Sequence, residues 1–273
     1  MDALGLLHVV ERIHGVLLSG GSAYGLDAAG GVMRYLEERG VGFKTRFGAI
    51  PIVPSAVIFD LSLGAPQVRP NADMAYRACL EATTGPIEQG SVGSGIGATV
   101  GKYHGIERAM KGGLGSASLK GTKGLVVGAM AVVNAFGDII DPETGQVVVG
   151  VRDARNGMTL IRASAEILKG ISRELTAFEH TTLVVVATNV RLTKSQATKM
   201  AQMAQVGLAR TLSPAHSPFD GDVIFALSSG DHEGDLQQVG LLAEQATSRA
   251  ILKAVREADG FGKVPAWRDL PRS

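Results

Sequence analysis

The chain has 273 residues, 45% of them hydrophobic, and a formal net charge of +1. That length buries one large core or two small ones, and the interspersed charges exclude a basic nucleic-acid stripe or an acidic tail. A single cysteine, Cys79, excludes an internal disulfide, and the longest apolar run, "LVVGAMAVVNAFGDII", is too short to span a bilayer.

In chain order, "VERIHGVLLSG" reads as a first strand. Ser22 then caps a helix that runs to "YLEERG" and stops at Gly40. "SAVIFDLSL" is the next strand, and "NADMAYRACLEATTG" is a helix capped by Asn71 and ended by Gly85-Pro86. Cys79 falls in its apolar-periodic stretch and reads as a buried, inert thiol. From Gly90 to Asp141 the chain is glycine-rich and β-like, with a hairpin turn near Pro142 to Gly145. Glycine supplies 36 residues, about double the usual share of roughly 7%.

Residues Asp153 to His180 are more polar and read as a linker with one short helix. "TTLVVVATN" is a strand beginning at Thr181, and "TKSQ" offers a capping box with Thr193 as cap and Gln196 reaching back. Met200, Met203 and Gly207 keep helical spacing and read as core filling. "DGDVIFALSSG" is another strand, and a long final helix places Val239, Leu242, Ala246, Ile251 and Val255 near one stripe. Strands and helices do not alternate regularly, which predicts stacked sheets with helices outside, an α+β architecture.

The familiar motifs fail. "GSGIGATVG" does not match G-x-G-x-x-G, there is no G-x-S-x-G elbow, and the six histidines are scattered without an H-E-x-x-H. No cofactor and no metal are expected. What remains is a handful of polar residues in apolar or glycine-rich settings. Taken singly, Lys102 reads as a solvated charge, Asn134 as a bulge or turn residue, and Asp220-Gly221-Asp222 as a hairpin approach. Thr181 has two readings: a β-branched residue suited to a strand, or a nucleophile that becomes a new N-terminus.

Seven blocks in order, "LLSGGSAYGLDAAGGVMRYLEERG", "PIVPSAVIFDL", "GATVGK", "AMKGGLGSAS", "VVNAFGDIIDPETG", "TTLVVVATN" and "AHSPFDGDVIFAL", make the chain resemble the DmpA-type aminopeptidases. That family includes L-aminopeptidase/D-esterases, β-aminopeptidases and nylon-oligomer hydrolases. The resemblance covers nearly the whole chain. It implies a four-layer αββα sandwich, shared in outline with ornithine acetyltransferases, and a single hydrolase domain over 1–273. It also implies self-cleavage into 1–180 and 181–273.

Carried over by residue, the resemblance makes Thr181 the nucleophile, Lys102 the active-site lysine and Asn134 the oxyanion donor. Asp220 and Asp222 become the polar pair facing the nucleophile, and Phe59 and Tyr24 become substrate contacts. Three features depart from the family pattern. His180 precedes the cut where Asn or Gly is usual. Phe59 stands where nylon-type members carry tyrosine. Members usually begin with a further few dozen residues, so this chain is expected to start late.

The function implied is a self-processing amidohydrolase of small peptides or amides, of aminopeptidase type. A 6-aminohexanoate-oligomer endohydrolase is the alternative, and an unprocessed inactive scaffold of the same fold is the alternative of another class. The expected partners are a small peptide or amide substrate and copies of the chain, as a homo-oligomer, with the tetramer of αβ units common in the family. Neither nucleic acid nor membrane is expected as a partner, and the location expected is cytoplasmic.

Overall fold

The structure is a computed structural model that describes residues 2–170 and 180–271. The part of the expected linker at 171–179 lies outside the described residues. The chain divides into two compact units, Met1–Pro86 and Ile87–Ser273.

In the first unit, β1 (Leu17–Ser19) pairs in parallel with β4 (Ser55–Val57), and β2 (Phe43–Thr45) pairs with β3 (Gly48–Ile50). Helices α1 (Ala29–Glu38) and α2 (Ala72–Glu81) pack together over Ala28, Val32 and Ala75. The expected cap of α2 is present: the Asn71 side chain accepts from the Met74 N–H at 3.0 Å. The expected Ser22 cap is not. Ser22 has φ 55 and opens a 3-10 segment, Ser22–Ala28, that precedes α1. The reason is long-range anchoring. The Gly21 N–H donates to the Asp60 carboxylate at 2.7 Å and the Ser22 N–H to the Ile58 carbonyl at 2.9 Å, so this backbone is tied to the end of β4 before the helix begins. The two expected strands shrink to three residues each, β1 and β4. Cys79 is half-buried, and burial raises its pKa, so the thiol stays protonated.

The second unit contains two short pairs of strands. β5 (Thr99–Val100) pairs with β6 (Met110–Lys111). β11 (Val151–Arg152) pairs with β12 (Leu160–Ile161), after which comes α3 (Ala163–Leu168), the short helix expected there. The turn near Pro142 to Gly145 joins β9 (Asp138–Ile140) to β10 (Val147–Val149), and β9 also takes β14 (Leu212–Ser213) on its other edge.

The main sheet of this unit has the order β15-β13-β8-β7. Its strands are β7 (Gly113–Lys120), β8 (Val126–Asn134), β13 (Thr181–Val190) and β15 (Val223–His232). Helices α4 (Lys194–Thr211) and α5 (Leu236–Arg256) pack on one face of it and on each other. The capping box of α4 is formed as expected from Thr193 and Gln196. Val127, Ala129, Ala131 and Val133 of β8, with Val184 and Val186 of β13, meet Ala243, Ala246, Ala250 and Ala254 of α5 in one core. The residues are small because the layers are close: a Cβ on Gly115 would run into the α5 backbone at Ala250 and Ala254. That contact accounts for the glycine and alanine of "KGGLGSAS".

The buried Lys111 ties the loops around this sheet. Its ammonium donates to the carbonyls of Gly95, Ala98 and Gly112 at 2.8, 2.9 and 2.9 Å, which offsets the cost of burying the charge.

Side chains alternate across a strand. With the even residues of β13 and the odd residues of β8 facing the helices, Thr181 and Asn134 fall on the opposite face, directly paired with each other.

Candidate active site

The site gathers at the N-terminal end of β13. Thr181 is half-buried, and its neighbours on either side in the sheet are fixed by register: Asn134 at the end of β8, and the turn that enters β15. The Thr181 hydroxyl donates to the carbonyl oxygen of His180, the residue just before it. The same oxygen accepts the Gly221 N–H at 2.9 Å. One carbonyl is therefore held by a backbone donor while the neighbouring hydroxyl rests on it.

Gly221 was legible in the sequence only as the spacer between two aspartates. A Cβ placed there would lie 2.9 Å from Thr181 Oγ1, closer than such contacts run, so the position has room for a hydrogen and no more. Gly221→Ala is expected to displace the hydroxyl, and any reaction made through that hydroxyl should slow by roughly tenfold or more. The measurement is amide hydrolysis by the variant against wild type, and an unchanged rate would show that the contact is irrelevant.

Lys102 is buried, 5% exposed, which removes the solvated reading. Its ammonium donates to Asn134 Oδ1 at 2.8 Å and to the Asn134 carbonyl at 3.1 Å. The Thr99 N–H also donates to Asn134 Oδ1, at 3.0 Å. The amide of Asn134 is thus fixed with its oxygen toward Lys102 and Thr99, which orients the Nδ2 end as the donor side. Thr99 had no signal in the sequence beyond its place in "GATVGK".

Among the described residues the two aspartates hydrogen-bond groups other than the Thr181 hydroxyl. Asp222 accepts the Thr182 N–H at 2.7 Å and the His216 N–H at 3.3 Å. Asp220 accepts the Ser217 hydroxyl at 2.6 Å and, weakly, the Phe136 N–H at 3.4 Å, and it bridges His180 along the backbone. Both brace the backbone on either side of the 180–181 bond. Tyr24 and Phe59 belong to the first unit: Tyr24 is exposed under the Arg69 guanidinium, 3.6 Å from its ring, and Phe59 is half-buried just past β4.

Burial, then the nearby Asp220, pushes the Asp222 carboxyl up to about 6, against about 3.9 for an ordinary aspartate. Between those values the folded chain holds a proton that the unfolded chain releases. This contribution is therefore most favourable below about pH 4 and is lost as pH rises through 6. Asp222→Asn removes it, so the melting temperature of the variant should fall less than that of the wild type between pH 4.5 and 7. Equal shifts would refute the assignment.

A sequence model described as peptidase family S58 matches residues 1–264. The chain belongs to peptidase family S58. It is 39% identical to an uncharacterized aminopeptidase of Mycobacterium leprae (strain TN), over 97% of this chain and 78% of that protein. It is 31% identical to a 6-aminohexanoate-oligomer endohydrolase of Kocuria sp. (strain KY2), over 93% of this chain and 75% of that protein. The solved l-aminopeptidase d-ala-esterase/amidase of Ochrobactrum anthropi, described as a variant of the Ntn hydrolase fold, superposes with a TM-score of 0.59. Its sequence identity is 19%, with 86% of this chain and 63% of that chain covered. The S58 chain is therefore a hydrolase of peptide or amide bonds with the α+β fold its sequence resemblance implied. Among the described residues, no helix is long and apolar enough to cross a membrane.

Proposed function

We propose that this S58 hydrolase cuts itself between His180 and Thr181 and then acts as an N-terminal-nucleophile aminopeptidase on small peptides or amides. The observation that carries the reading is the His180 carbonyl, which accepts both the Gly221 N–H and the Thr181 hydroxyl. In the first step Thr181 Oγ1 adds to the His180 carbonyl carbon. The C–N bond breaks, the hydroxyl proton passes to the Thr181 nitrogen, and an ester joins His180 to Thr181. Water hydrolyses that ester, leaving a His180 carboxylate and a free Thr181 amine.

The freed amine has an ordinary pKa of about 7.7–8.0, close to working pH, where a general base is most effective. It takes the hydroxyl proton as Oγ1 attacks a substrate carbonyl and returns it to the leaving amine. The Asn134 side chain donates to the oxyanion, a role in which one donor contributes roughly 3 kcal/mol. Lys102 holds Asn134 in place and, as a neighbouring cation, disfavours protonation of the amine.

Intact-mass analysis of fresh protein tests the reading. Fragments 1–180 and 181–273, the second beginning Thr-Thr-Leu-Val, are the expected result. A cut at another bond sinks it, and one uncut, inactive chain favours the scaffold. The resemblance to the endohydrolase supports a second reading, cleavage of 6-aminohexanoate oligomers. Oligomer turnover exceeding that of aminoacyl anilides would establish it. A cytoplasmic homo-oligomer, such as a tetramer of αβ units, belongs to the same proposal, and light scattering reads the assembly.

A further inference from the structure

The residue that stands before Thr181 is the acyl donor of the self-cleavage step, so its side chain marks where an acyl group sits when its carbonyl faces the nucleophile. His180 is 6% exposed. Its imidazole packs on the Phe136 ring, with centroids 4.9 Å apart, and Phe136 is flanked in turn by Tyr103 at 5.8 Å and Phe219 at 6.0 Å. Among the described residues nothing hydrogen-bonds His180 Nδ1, although that atom is buried. Phe136, with Tyr103 and Phe219 beside it, gives the ring an aromatic floor.

We propose that the pocket filled by the His180 ring and floored by Phe136 is the acyl-side specificity pocket of the mature enzyme, and that it selects neutral, flat or apolar L-side chains and rejects cationic ones. The inference rests on Thr181 being the nucleophile in both self-cleavage and turnover. The same Oγ1 then attacks in both reactions, at one carbonyl position flanked by the Gly221 N–H and the Asn134 amide. A substrate placed there with the stereochemistry of an L-residue sends its side chain where the His180 ring now lies.

Charge points the same way. Burial, and secondly the Lys102 ammonium, push the His180 pKa down to about 3, so the pocket holds a neutral ring and opposes a cation. The Lys102 N–H donates to the Phe136 carbonyl at 2.9 Å, so this buried cation stands beside the pocket, and bulk water screens it little. An amide of 6-aminohexanoate has no α-substituent and would leave the pocket to its own methylene chain.

The test uses the mature, self-cleaved protein and a series of L-aminoacyl p-nitroanilides. Values of kcat/KM for Phe, His and Leu should exceed that for Ala by roughly tenfold or more, as apolar pocket contacts usually do. Lys should fall below Ala. Phe136→Ala should collapse the Phe-to-Ala ratio toward one, and Phe136→Leu provides the same readout if the smaller variant fails to fold. In the precursor, His180→Lys should cut itself at least tenfold more slowly than His180→Phe. A flat series, a preference for Lys, or an unchanged ratio in both Phe136 variants would overturn the pocket while leaving the nucleophile intact. A chain that neither cuts itself nor turns over any anilide would overturn the nucleophile, and the pocket with it.

Discussion

Thr181→Ala is expected to remain a single 273-residue chain and to hydrolyse no amide above background. Among the described residues the Thr181 hydroxyl is the side-chain group that donates to the His180 carbonyl oxygen, and under the proposed mechanism its removal abolishes both the cut and the acyl-enzyme step. Loss of a nucleophile from a catalytic unit typically costs 10⁴-fold or more. The fold should survive. Thr181 is half-buried at a strand end, alanine keeps every backbone bond to Asn134 and the β15 turn, and such a change typically costs about 1 kcal/mol. Thr181→Ser keeps a hydroxyl in the same place and should still cut. Mass spectrometry and an amide assay decide the matter together: a Thr181→Ala chain that splits at 180–181 would eliminate the nucleophile assignment.

Lys102→Met carries the second large effect. Methionine replaces the stem of Lys102 but not the donor that fixes the Asn134 oxygen at 2.8 Å. The buried oxygen would keep the Thr99 N–H, while the amide gains freedom to turn its donor end away from the oxyanion. Asn134→Ala should lower kcat by roughly 10²–10³-fold with little change in KM, as loss of an oxyanion donor does. Lys102→Met should approach that loss, and the double variant should be little worse than Asn134→Ala alone, because the two residues act as one unit.

A second consequence is separable. Without the ammonium the Thr181 amine becomes easier to protonate, so its pKa rises and the acidic limb of kcat/KM moves to higher pH. Activity would then recover partly in alkali. The pH profile of mature, already cleaved Lys102→Met protein measures both effects. Wild-type kcat with an unmoved acidic limb would show that Lys102 is only a structural tie. A loss constant at every pH would assign it to holding Asn134 and not to tuning the amine.

Local signals determined what local physics controls. The cap at Asn71, the capping box of Thr193 and Gln196, the turn before Gly145, and strand β13 all depend on residues within a few positions of one another. The structure places each as the sequence read it. The Ser22 cap failed because the backbone at Gly21 and Ser22 is tied to Asp60 and Ile58, far along the chain. The order of seven blocks brought Lys102, Asn134, Thr181, Asp220 and Asp222 into view as a set, and the β13–β8 register puts Asn134 opposite Thr181.

What each residue in that set touches was decided only by the tertiary structure. The Lys102–Asn134 bond spans 32 residues of separation, and nothing local distinguishes a buried lysine after glycines from a solvated one. The aspartates accept from Thr182, His216 and Ser217, contacts set by where the turn into β15 meets β13. Gly221 has meaning only once its Cα is seen against Thr181 Oγ1, and Phe136 only once its ring is seen under His180. Sequence period sets which face of a strand a residue occupies. Strand pairing sets its neighbours, and pairing is a long-range property that no short window contains.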